Sequence, residues 1–89
     1  MAVLMVPSSL RRYTNQQSRI TLSVTSIDDA LKRFSEGSSE LRNHLFSGQV
    51  LRKFIVVCKN GQDIRLLDGL QTPVSDADEV QIIASVAGG

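Results

Sequence analysis

The sequence predicts an α+β domain in which a mixed β-sheet packs on one main helix. Two observations carry this: apolar residues at helical spacing over Ile27 to Phe34, and apolar stretches of strand character before and after that segment. A third concerns size. At 89 residues, a second core would leave each half too small for burial to offset chain entropy, so one domain is expected.

Ala2 to Val6 is a short β-favouring run closed by Pro7-Ser8-Ser9. Arg19 to Val24 alternates, with Ile20, Leu22 and Val24 on one face and Arg19, Thr21 and Ser23 on the other. The two read as an N-terminal hairpin joined by a polar connection, Leu10 to Ser18, that is longer than a tight turn.

Ile27, Ala30, Leu31 and Phe34 fall at i, i+3, i+4 and i+7, which places four apolar side chains on one helical face. Ser26 is suited to cap this helix, and Asp28 and Asp29 sit where the helix dipole favours negative charge. A helix is expected from about Ile27 to Ser35. Glu36-Gly37-Ser38-Ser39 breaks it, and Glu40 to Phe46 resumes as a shorter helical piece ended by Gly48.

Phe54-Ile55-Val56-Val57-Cys58 is a continuous β-branched and aromatic run, the pattern of a strand buried on both faces. Asn60-Gly61 suits the positive φ angles of a type I′ hairpin turn, and Gln62 to Leu66 is expected to return as its partner strand. Asp68-Gly69 and Thr72-Pro73 punctuate the next stretch. Asp76-Ala77-Asp78-Glu79 then makes a polar corner before the apolar run Val80 to Val86. The order β, β, α, short helix, β, β, loop, β is that of a β-grasp, the ubiquitin-like arrangement.

Composition excludes several classes. Hydrophobic residues are 42% and charged residues 21%, far from the signature of disorder. The net charge of +1 gives no general attraction to nucleic acid or anionic membrane. All ten Lys and Arg lie within residues 1–65, so the C-terminal quarter, with Asp68, Asp76, Asp78 and Glu79, is locally acidic. One cysteine, Cys58, excludes an internal disulfide and a cysteine-rich zinc site. Met1 to Val6 is too short for a spanning helix and lacks the basic start of a signal peptide, so a cytoplasmic location is expected.

The segment from Asp68 to Gly89, with its polar turn, apolar strand and Val86-Ala87-Gly88-Gly89 ending, resembles the ubiquitin-like sulfur carriers of the MoaD/ThiS family. Their usual ending is a turn of the form D-G-D-x-V, a strand, and a V-A-G-G tail. Val57 to Arg65 is similar to the family's strand, N-x-x-D turn and strand. The start, Val6-Pro7-Ser8-Ser9-Leu10-Arg11 with Thr14, resembles CysO-type carriers more than typical molybdopterin-synthase small subunits. Two positions depart from the pattern: Ala77 stands where glycine is usual, and Ser85 where proline is common. Ala77 must therefore avoid positive φ or carry strain.

The chemistry of such a carrier explains its tail. A carboxylate is a poor acyl donor, and its activation as an acyl-adenylate requires the chain end to enter an enclosed nucleotide site. Gly88 and Gly89 lack Cβ and let the backbone approach closely. At about 3.3 to 3.6 Å per extended residue, Ala87 to Gly89 would reach roughly 10 Å beyond the last strand. The expected division is a ubiquitin-like domain over 1–86 and a flexible tail over 87–89.

The resemblance implies that an E1-like enzyme adenylates Gly89 with MgATP and that sulfur replaces AMP to give a C-terminal thiocarboxylate. The carrier would then donate sulfur to a pyridoxal-phosphate (PLP) cysteine synthase or another acceptor, with a JAMM-type metalloprotease releasing the product. It would bind no cofactor and hold no catalytic residue of its own. The expected partner surface is the apolar flank of the tail, Val86 with Ile82 or Ile83, oriented by the acids Asp76, Asp78 and Glu79.

The remaining residues read as structural. Cys58 is a small core residue, and His44 a surface histidine with no second ligand at metal-binding spacing. Arg11-Arg12 and Arg52-Lys53 lack interleaved aromatics and are read as solvated. Asp28-Asp29 suits capping rather than acid–base catalysis. Alternative functions are the small subunit of molybdopterin synthase, a ubiquitin-like protein modifier, and a plain binding module that uses the sheet.

Overall fold

The first strand, β1 (Ala2–Met5), alternates as its sequence requires: Ala2 and Leu4 are buried, while Val3 and Met5 are half-buried on the opposite face. In this computed structural model, which describes residues 1–84, β1 pairs antiparallel with β2 (Arg19–Leu22). On its other side it pairs parallel with β7 (Glu79–Ala84), Leu4 lying opposite Val80. β7 in turn pairs antiparallel with β5 (Ile55–Lys59), and β6 (Gln62–Asp63) closes the sheet in the order β2-β1-β7-β5-β6. A parallel central pair flanked by two hairpins, with a helix across one face, is the expected β-grasp.

That helix, α1 (Ile27–Ser35), has the expected bounds. Ser26 Oγ accepts from the backbone N–H of Asp29 at 3.0 Å, and Asp29 in turn accepts from the N–H of Thr25 at 3.2 Å. Ile27, Ala30, Leu31 and Phe34 face the sheet and are buried. The segment after Gly69 is tied to the start of α1 by the N–H of Ile27 to the carbonyl of Thr72 and the N–H of Val74 to that of Thr25, both 3.0 Å.

Several local expectations change. The polar connection after Pro7 contains a 3₁₀ turn, Ser8–Tyr13, which drives Leu10 into the core. The second helix, α2 (Ser39–Leu45), is capped by Ser38 and stops before Phe46, which is buried in extended conformation. Phe46–Ser47 (β3) and Val50–Leu51 (β4) form a small hairpin around Gly48, whose φ of 65° suits the turn.

β5 is not buried on both faces. Ile55 and Val57 face α1, while Val56 and Cys58 are half-buried on the other side, because both helices cover the same face. Cys58 is thus not a core residue. The Asn60-Gly61 turn has the expected positive φ at both residues, 50° and 83°. Its return strand ends at Asp63, where the Asp63 carboxylate accepts from the N–H of Arg65 at 2.9 Å and caps a 3₁₀ turn over Ile64–Leu66. Ile64 is thereby turned into the core.

Candidate functional site

β7 is the element that carries the sequence towards the Gly-Gly ending, and its neighbours on both sides hold it in place. It pairs with β1 on one side and β5 on the other, from Val3–Glu79 at one end to Ile55–Ala84 at the other. Val86, Ala87, Gly88 and Gly89 lie outside the described residues, as does the expected domain boundary at residue 86.

Alternation along β7 separates the two candidate isoleucines. Ile82 is 2% exposed and packs in the core opposite Val57, so it is removed from the expected partner surface. Ile83 is 42% exposed on the uncovered face, where its register partner is Val56. Gln81 on the same face lies opposite Met5 on one side and Cys58 on the other. Met5, Gln81, Ile83 and Ala84 also line a shallow depression whose margin includes Arg11 and Arg19.

The acidic corner divides similarly. Asp78 has a side chain only 19% exposed and satisfied from within. It accepts from the N–H of Ser75 at 2.8 Å and from Asn60 Nδ2 at 3.1 Å, with Lys59 Nζ 3.7 Å away. The Ser75 N–H, then the Asn60 amide, with help from Lys59, hold its carboxyl below the usual carboxylate range. Asn60 completes the clasp, its Oδ1 accepting from the N–H of Glu79 at 2.9 Å. Asp78 therefore builds the corner and is not free to orient a partner. Asp76 is 90% exposed, and Glu79 pairs with Arg19 at 3.3 Å across the uncovered face.

This corner stands at the opposite end of β7 from the tail. Five residue steps at about 3.3 Å separate Glu79 from Ala84 by roughly 17 Å. Ala77 adopts φ 72°, the conformation that the glycine usual at this position would take without strain. Sequence reasoning missed Met5 and Val56 as surface residues, because a continuous apolar run hides which face is covered. Among the described residues, no three His, Cys, Asp or Glu side chains are grouped to hold a metal ion. No described helix is long and apolar enough to cross a membrane.

A ubiquitin-like fold whose central strand leads to a Gly-Gly ending defines the class of the small ubiquitin-like carriers and modifiers. Within it, the ThiS family profile matches residues 4–89, and the chain belongs to the ThiS family. It is 32% identical over 88 residues to the sulfur carrier protein CysO of Mycobacterium tuberculosis, covering 94% of each chain. In shape it is similar to a chain of the Amycolatopsis orientalis BexX/CysO complex, with TM-score 0.88, 25% identity and full coverage of both chains. It is also similar to the small archaeal modifier protein 1 of Methanosarcina acetivorans, with TM-score 0.86, 26% identity, and 99% of this chain and 95% of that one covered.

Proposed function

We propose that this protein is a cytoplasmic sulfur carrier whose reacting group is the carboxylate of Gly89. The observation that carries the reading is the family match, which runs through the Gly88-Gly89 ending, four residues along the chain from a strand fixed at the centre of the sheet. In the first step the carboxylate attacks the α-phosphate of MgATP in an E1-like enzyme. Pyrophosphate leaves and an acyl-adenylate forms. Sulfide then adds to the acyl carbon and AMP departs, leaving the thiocarboxylate; with a persulfide donor, a thiol afterwards cleaves the S–S bond of the acyl disulfide. The acceptor is a PLP cysteine synthase or another enzyme of sulfur-metabolite synthesis, with a JAMM-type metalloprotease freeing the product.

The protein's own contribution is positional. β7 presents the tail from a fixed point, and the activating enzyme docks on the uncovered sheet face around Ile83 and contacts Val86 of the tail, with Asp76 and Glu79, paired with the Met1 ammonium and Arg19, at the far margin. The similarity to the BexX/CysO complex supports a partner that embraces a body of this shape.

The likeness to small archaeal modifier protein 1 supports a second reading, in which the same adenylate is passed to a lysine amine and Gly89 ends in an isopeptide bond. Both readings require activation at Gly89. The test is pyrophosphate release from MgATP by the host's E1-like enzymes. Release should depend on this protein and vanish on deletion of Gly89; release that survives the deletion overturns the proposal. Higher-mass conjugates, if they form, separate the second reading from the first.

A further inference from the structure

β6 is too short to cover β5. It pairs with β5 only at Cys58–Asp63 and Lys59–Gln62, because the chain turns away at the Asp63 cap. Among the described residues, no strand lies beside Ile55–Val57 on that side. The backbone there is oriented for one. The N–H of Asn60 bonds to the carbonyl of Glu79, so Asn60, Cys58 and Val56 direct their backbone groups to β7. The alternation then directs the N–H of Val57 and the carbonyl of Ile55 the other way, while the Val57 carbonyl faces Ile64, next in register after Cys58–Asp63, and the Ile55 N–H is taken by the carbonyl of Arg52 at 3.0 Å.

This edge opens into a groove of about 660 Å³. Its walls are apolar: Val50 and Leu51 of the β3–β4 hairpin on one side, Ile64 and Leu70 on the other. Val50 is 69% exposed at the rim of this groove. The charges at the margin are Arg52, Lys53 and Arg65 against Asp63, which Arg65 already neutralises through a bidentate pair. The groove therefore has a cationic surplus.

We propose that this groove docks an extended segment of a partner protein, added as a strand along Ile55–Val57, with apolar side chains at alternate positions and acidic residues flanking them. Main-chain bonds to β5 set the register, Val50, Leu51 and Leu70 receive the alternate side chains, and Lys53 and Arg52 attract the acids. A second copy of this chain fits poorly, since pairing two such edges would bring like charges together. None of Gln81, Ile83 and Ala84 lines this groove, although Ile55 and Val56 at its floor pair with Ala84 and Ile83.

The test uses the full-length protein as bait for a displayed library of short random peptides, with binding mapped by backbone amide shifts. The selected peptides should alternate apolar with polar residues and carry acidic flanks. Their shifts should centre on 50–51, 55–57 and 63–65. Val50→Glu and Lys53→Glu, both at exposed positions, should each weaken binding about tenfold or more while the amide spectrum elsewhere is retained. Failure to select peptides, peptides that map to the Ile83 face, peptides without alternation, or equal binding by both variants would each overturn the proposal. Concentration-dependent shifts of the same amides in the protein alone would also overturn it, by assigning the groove to a second copy.

Discussion

The side-chain amide of Asn60 donates to the Asp78 carboxylate at 3.1 Å and so ties the β5–β6 turn to the corner from which β7 starts. Asn60 Oδ1 and N–H both bond to the backbone of Glu79, the first residue of that strand. The clasp fixes where β7 begins, and the register fixes where it delivers the tail.

Because its neighbours lower the pKa of Asp78, the unfolded chain binds its proton more readily than the folded one. The stabilisation is therefore complete above the ordinary carboxylate value of 3.8 and is lost as pH falls through the lower folded value. Urea midpoints measured from about pH 5 downward should fall less steeply for Asp78→Asn than for the unmodified protein. Identical slopes would mean that Asp78 is not held in its charged form.

Ala77 sits at φ 72° with an exposed side chain, so it carries the cost of a left-handed L-residue and gains no burial in return. Ala77→Gly should raise stability by about 0.5–1 kcal/mol, the relief exceeding the added entropy of the unfolded glycine. A lower urea midpoint would contradict the strain.

Adjacent isoleucines should behave oppositely. Ile82→Ala removes a 2% exposed side chain from the core and should cost roughly 2–4 kcal/mol. Ile83→Asp should leave the thermal midpoint within a few degrees while slowing activation by the E1-like enzyme about tenfold or more. If Ile83→Asp were activated at the normal rate, the uncovered face would not be the docking surface.

How much of this was readable before the structure depended on where local rules and packing agree. α1 was legible to the residue because its cap, its acidic first turn and its apolar spacing all specify one helix. The Asn60-Gly61 turn was legible for the same reason. The return strand was not, since Gln62 to Leu66 looks extended until the Asp63 carboxylate is seen to cap Arg65. Nor could the apolar run at 54–58 say that only one face is covered, which depends on both helices lying on the same side. The acids of the corner were legible as a turn but not as a clasp, because the partner that holds Asp78 is Asn60, 18 residues away.

The carboxylate of Gly89 is the centre of this account, and intact mass reads it most directly. The protein would be recovered from its native host without strong nucleophiles and compared with a variant lacking Gly89. The account predicts a species heavier by the exchange of one oxygen for sulfur, localised to the terminal peptide and absent from the variant. If only the unmodified mass appeared, even after incubation with the host's activating enzymes, MgATP and a sulfur source, the carrier reading would be contradicted.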